Sequence, residues 1–220
     1  MSAVAERGWI RSHLPKAIGI DDLRAAFEAA YAGEVGGIGH ENVAQLDDAV
    51  VGASPVLSAL RVHVDGLMAA EAPDLAFAKL WLVESSEQST AHDTVPYLPH
   101  IDRDRYVKAM VYLDDVGEGD GPLTMAELAP ERMEAMRRAL PDDYKAKGGN
   151  VVRDDLAYAP LTGVAGDLIL FDTNCPHHAG RVEAGGRRRV LRFDYSRPGW
   201  NTSPGVLARL RAAVSRRLPG

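Results

Sequence analysis

The sequence predicts an α+β fold, a mainly β sandwich or barrel with helices on one side, and three observations predict it. Helical apolar periodicity fills much of the N-terminal third. From residue 77 onward short strand-like runs alternate with Gly- and Pro-bearing turns. One further helical pattern closes the chain. With 220 residues, 46% hydrophobic and 25% charged, the chain can bury a full core and is read as a single domain over 1–220.

Composition removes several classes of function. Twenty-five basic side chains against 31 acidic ones leave a net charge of −6, without the basic footprint of a nucleic-acid binder. The one cysteine, Cys175, excludes an intrachain disulfide framework and the multi-cysteine zinc patterns, which fits a reducing, cytoplasmic setting. The N-terminus reaches Glu6 and Arg7 without an apolar core, so no signal peptide is expected. No apolar run approaches the roughly 18 residues of a membrane span. The expected partner is a small molecule, with neither nucleic acid nor membrane.

The helical third, residues 20–72, is expected to pack on a core spanning about 77–196. Asp21 caps a helix that carries Leu23, Phe27, Ala30 and Tyr31 on one face and ends at Gly33. Residues 34–54, rich in Gly and small side chains, read as loop. Ser54-Pro55 starts a second helix, a cap followed by an N1 proline, with Val56, Leu57, Leu60, Val64, Leu67 and Met68 as its stripe and Pro73 as its stop. His63, beside that stripe, reads as a packed histidine.

Phe77 to Val83 reads as a strand with Lys79 as the odd charge, and 84–96 as a polar loop. Tyr106 to Leu113 is a second strand, and Gly117 to Pro122 a turn. Pro130 starts a short helix, 141–163 is mixed loop and short strand, and 166–172 and 188–196 are strands. A last helix is expected over 203–218, with Leu207, Leu210 and Val214 inward.

The chemistry gathers in two places. His100 and Asp102, two apart on an extended segment, point to one side, and an imidazole with a carboxylate suits a divalent metal. A third ligand must come from elsewhere, and the turn bearing His177 and His178 is the obvious donor. Two histidines and one carboxylate form the facial triad associated with non-heme Fe(II) oxygenases. Beyond that turn, Arg187, Arg188 and Arg189 open an apolar strand, where arginine normally has no place. If Arg188 faces inward, so do Val190, Arg192 and Asp194, while Leu191, Phe193 and Tyr195 pack the other side. Such a polar inner face suits a bound anion, because the guanidinium fork pairs bidentately with carboxylates.

These pieces in this order resemble the phytanoyl-CoA dioxygenase family: His100-Ile-Asp102, Tyr112-Leu-Asp-Asp115, Gly121-Pro-Leu123, Gly166 to Asp172, the histidine turn and Arg188-Arg-Val-Leu191. The resemblance covers about 77–196. It implies a double-stranded β-helix, or jelly roll, and an Fe(II)- and 2-oxoglutarate-dependent dioxygenase that also consumes O2. It implies His100 and Asp102 as the first two iron ligands. The family's distal ligand tends to sit in a His-x-x-Gly turn, with the cosubstrate arginine eleven residues on. His177-His-Ala-Gly180 matches, which pairs His177 with Arg188 and leaves His178 at the rim. Lys79, or a hydroxyl from the earlier strands, is expected to assist Arg188 on the distal carboxylate of 2-oxoglutarate.

Two departures concern the substrate pocket. The Pro-Gly-Ser-His stretch that often follows Gly-Pro-Leu is replaced by Thr124-Met-Ala-Glu-Leu-Ala-Pro130, expected to turn helical, and the chain is short for the family. An intact Asp102 implies hydroxylation, desaturation or another oxidation rather than halogenation. Arg103, Arg105 and Arg192 would suit a substrate carboxylate or phosphate, and the substrate class expected is a metabolite or natural-product intermediate. The alternatives are a cupin-type metal enzyme without 2-oxoglutarate and a non-catalytic jelly-roll binding domain.

Overall fold

Strand alternation divides the molecule into a helix-covered side and a cavity side. The computed structural model describes residues 2–31, 36–38, 41–46, 48–87, 95–102, 106–128, 130–140, 150–152 and 155–198. In chain order these form α1 (Ala3–Arg7), β1 (Trp9–His13), α2 (Ile20–Tyr31), β2 (Gly36–Ile38), β3 (Glu41–Leu46), α3 (Asp48–Ala53), α4 (Pro55–Glu71), β4 (Ala76–Ser86) and β5 (Val107–Tyr112). They continue as β6 (Leu123–Ala126), α5 (Pro130–Arg138), β7 (Tyr158–Pro160), β8 (Asp167–Asp172), β9 (His177–Ala179) and β10 (Arg187–Ser196). Seven strands make a major antiparallel sheet in the order β1-β8-β5-β10-β4-β3-β2, and three make a minor sheet, β7-β6-β9. Two facing antiparallel sheets with helices outside are the expected jelly roll.

The outer face of the major sheet carries Leu80, Leu82, Ala109, Val111, Leu168, Leu170, Leu191 and Phe193, all buried, against Leu23 and Phe27 of α2 and Leu57, Leu60, Val64 and Met68 of α4. Each fully buried side chain of this size contributes about 1.5–3 kcal/mol. Helix α4 starts as its sequence dictates: the Ser54 hydroxyl accepts from the Leu57 amide at 3.4 Å and Pro55 follows at N1. A second core, with Val83, Tyr112, Ile169, Phe171 and Val190 from the inner face and Leu123 and Met125 from β6, joins the two sheets. No helix among the described residues is long and apolar enough to cross a membrane.

Four local expectations are corrected. Residues 34–54 are not one loop, since β2, β3 and α3 lie there and β3 pairs with β4. β4 continues through Ser86 into the expected polar loop, because Glu84, Ser85 and Ser86 pair with Arg189, Arg188 and Arg187. Leu123–Ala126 is a strand rather than the start of a helix; it is held between β7 and β9, and α5 begins only at Pro130. The major sheet also recruits β1 from well before residue 77. The expected helix over 203–218, Gly33, Arg103 and Arg105 lie outside the described residues.

Candidate active site

Backbone pairing brings the two histidines together. His100 and His177 form an antiparallel bridge, each amide donating to the other's carbonyl, at 3.0 and 2.9 Å. Residues opposed in this way project side chains to the same side. The imidazoles accordingly lie 4.4 Å apart, centroid to centroid. Both are buried, and Phe171 of β8 stands edge-on to His177 at 5.5 Å. Asp102, two residues beyond His100, is fixed by its amide, which donates to the Thr173 carbonyl at 2.9 Å.

Carbonyls only accept, so the contacts of His100 Nδ1 with Leu98 O (2.8 Å) and of His177 Nδ1 with Cys175 O (2.9 Å) place the proton on Nδ1 in both rings. Nε2 is then the nitrogen with a lone pair, the arrangement a metal-ligating histidine needs. Burial lowers both pKa values and outweighs the opposing pull of Asp102, so both rings are held neutral. For Asp102, burial acts to raise the pKa, but the charge and hydrogen bond of Lys108 lead the opposing causes, and the carboxyl is held ionised far below its usual range. Lys108 Nζ donates to Asp102 Oδ2 at 3.2 Å. As the side chains stand, no three His, Cys, Asp or Glu among the described residues converge on one point. The two imidazoles are together, and the carboxylate is engaged by Lys108.

Across the same cavity is Arg188, 3% exposed. Register sets it opposite Ser85, whose hydroxyl accepts from Nη2 at 3.0 Å, and Nη1 donates to the Gly121 carbonyl. Gly121 adopts φ +73°, and a Cβ there would meet Val182 Cγ2 at 2.6 Å, so only glycine presents that carbonyl without strain. Arg189 points to the opposite face, donating to Asp114 (2.8 Å) and Glu28 (2.6 Å), and Arg187 donates to Glu84 at 2.7 Å.

His178 is half-buried at the cavity rim, edge-on to Tyr158 at 5.5 Å. Lys79 is not brought to this cavity: it lies on β4 opposite Asp194, six residues from Ser85, with Nζ 5.4 Å from the Trp81 ring. Cys175 is buried with its thiol on the Ala126 carbonyl at 2.9 Å, and burial pushes its pKa up to about 12, which makes it inert. The sequence assigns Lys108 no role, and Gly121 enters it only as part of the Gly121-Pro-Leu123 motif. Lys108 left a signal, a lone charge alternating with Met110 and Tyr112 in an apolar strand. Nothing in that motif marks the Gly121 carbonyl as a partner of Arg188.

With this geometry in view, the model of the phytanoyl-CoA dioxygenase (PhyH) family matches residues 77–190, just over half of the chain. The chain belongs to this family. Members of the phytanoyl-CoA dioxygenase family use Fe(II), 2-oxoglutarate and O2. No curated protein matches the chain in sequence. Among solved structures, it is similar to the non-heme α-ketoglutarate-dependent epimerase SnoN from nogalamycin biosynthesis, at 18% identity and TM-score 0.65, over 88% of this chain and 80% of that one. It is similar to the carbocyclase SnoK from the same biosynthesis, at 18% identity and TM-score 0.61, over 99% and 89%. It is also similar to HygX from Streptomyces hygroscopicus, solved with nickel and 2-oxoglutarate, at 16% identity and TM-score 0.61, over 89% and 85%. At these identities the likeness establishes the shared fold.

Proposed function

We propose that this chain is an Fe(II)- and 2-oxoglutarate-dependent oxygenase acting on a small metabolite or natural-product intermediate, with His100, Asp102 and His177 holding iron and Arg188 holding the cosubstrate. One observation carries the reading: the facing His100–His177 pair and the buried Arg188 open into one cavity. The donor set fits the metal in kind, as two neutral imidazoles protonated at Nδ1 and one ionised carboxylate. Asp102 must leave Lys108 to complete it. When bound, iron with 2-oxoglutarate and O2 supplies the oxidising power for attack on an unactivated carbon.

The chain's own residues bind, orient and exclude water. Ser85 and Gly121 hold the Arg188 guanidinium in place, and this held guanidinium would pair with the C5 carboxylate of 2-oxoglutarate. Leu98 and Cys175 fix the tautomers of the two histidines. Phe171, Leu123 and Met110 line the cavity with apolar surface that keeps water from the reacting centre. The presence of SnoN, SnoK and HygX among the structural neighbours supports a small-molecule substrate over a folded protein. A cupin-type enzyme without 2-oxoglutarate has no use for a buried arginine at the far end of the cavity.

The test is succinate formation by the purified chain with Fe(II), 2-oxoglutarate and O2. Wild type is expected to turn over slowly without substrate, and His177→Ala to be silent. Arg188→Ala should raise the 2-oxoglutarate KM about thirtyfold or more, since breaking one side of a buried hydrogen-bonded charge pair costs about 2–5 kcal/mol. A wild-type protein that neither binds 2-oxoglutarate nor releases succinate sinks the reading and favours a non-catalytic domain.

A further inference from the structure

The inner face of the major sheet is ordered in rows by its register. Arg188 pairs with Ser85. Val190 lies between Val83 and Tyr112, Arg192 between Trp81 and Met110, and Asp194 between Lys79 and Lys108. Successive rows on one face are about 6.6 Å apart, so Arg192 stands about 13 Å along β10 from Arg188, past an apolar row. Both guanidinium groups line the same cavity. The proposed function uses Arg188 and leaves Arg192 without a role.

Arg192 is held as a recognition residue is held. Its Nε donates to Asp194 Oδ1 at 3.0 Å and its Nη2 to Asp194 Oδ2 at 3.5 Å, and Oδ2 also accepts from Trp81 Nε1 at 2.9 Å. The Asp194 side chain is 11% exposed and that of Arg192 23%, so the carboxylate is an internal brace and the guanidinium reaches the open space. Among the described residues Arg192 Nη1 has no hydrogen-bond partner. The guanidinium carbon lies 5.5 Å from the Trp81 ring centroid, with Lys79 Nζ 5.4 Å from the same ring.

Charge points the same way. This part of the inner face sets Lys79, Lys108 and Arg192 against two carboxylates, Asp102 and Asp194. Committing Asp102 to a metal takes from Lys108 its counter-ion, and Lys108 also lines the cavity. Beside the cavity this leaves Lys108 without its counter-ion and Arg192 ion-paired along one edge with Asp194, next to the thioether of Met110.

We infer that Arg192, braced by Asp194 beside Trp81, binds an oxyanion of the substrate, which is therefore a small molecule carrying a carboxylate or phosphate. The inference rests on the proposed reading of the site and adds its substrate class. Arg192 is a specificity residue here, distinct from the cosubstrate anchor.

The test uses the full chain loaded with redox-inert Zn(II) and saturating 2-oxoglutarate, which keeps Arg188 occupied. Benzoate, phenyl phosphate and benzyl alcohol serve as probes, read by indole fluorescence. Either anion or both should change the signal saturably, their ranking separating carboxylate from phosphate, and benzyl alcohol should not. Trp81→Phe should remove the response. Arg192→Gln should weaken anion binding at least tenfold, and Arg192→Lys, which keeps the charge and loses the fork, should fall between. The 2-oxoglutarate affinity of each variant, measured alongside, reports that the cavity is intact. If 2-oxoglutarate binds and the anions are indifferent to Arg192, or do not bind at all, this inference is wrong and the reading of the site stands. If 2-oxoglutarate does not bind wild type, the reading falls and this inference with it.

Discussion

Both imidazoles of the facing pair donate an Nδ1–H hydrogen bond to a main-chain carbonyl, and both are held neutral by burial. In the unfolded chain they titrate near the ordinary value of about 6.5. Above that pH neither state is protonated and the pair contributes no pH dependence. Below it the unfolded chain takes up protons that the folded protein refuses, so stability falls by up to about 1.4 kcal/mol per pH unit per histidine. The melting temperature of the metal-free protein should therefore drop steadily from pH 6.5 to 5, and the His100→Gln/His177→Gln double variant should flatten that slope. Parallel slopes would contradict the burial argument. Asp102 does not confuse this window, because its depressed pKa gives stability that is complete above its unfolded value and lost only at more acid pH. At this scale much of the candidate site is legible in the sequence, because strand alternation alone separates Arg188 from Arg189. Lys79 was misleading for a physical reason: a strand has two ends, and a lone charge in an apolar run does not say which end the cavity occupies.

Strand β10 carries two environments on one backbone, with Leu191, Phe193 and Tyr195 in the helix-side core and Arg188, Val190, Arg192 and Asp194 inward. Its ten residues are long enough to show a period of two, and so it could be read. Strand β6 could not: its four residues, Leu123-Thr-Met-Ala126, are all buried, and a run that short has no measurable period. β2 and β3 were hidden among glycines, and β9 is three residues whose pairing, not composition, makes it a strand. The two sheets are tied by Tyr112 of β5, whose hydroxyl donates to the Leu161 carbonyl at 2.9 Å and accepts from the Leu123 amide at 3.2 Å. Tyr112→Phe leaves both main-chain groups buried without that partner, a loss of about 1–3 kcal/mol. Chemical denaturation should show it as a lower midpoint at unchanged slope; a loss under about 0.5 kcal/mol would mean the tether is unimportant.

Across the whole molecule, an acidic chain of net charge −6 lines the cavity of its facing histidines with Arg188, Arg192 and Lys108. Such a field favours a dianion like 2-oxoglutarate. The fold supplies the rest, since the major sheet provides the arginine row and the minor sheet, with the His100 bridge, provides the histidines. The measurement that tests this most directly is a crystal structure of the chain with Mn(II) and 2-oxoglutarate. It should show the metal on His100, Asp102 and His177, Asp102 released from Lys108, and the C5 carboxylate on Arg188 beside Ser85. A metal bound through His178, or a cosubstrate held by Arg189, would contradict it.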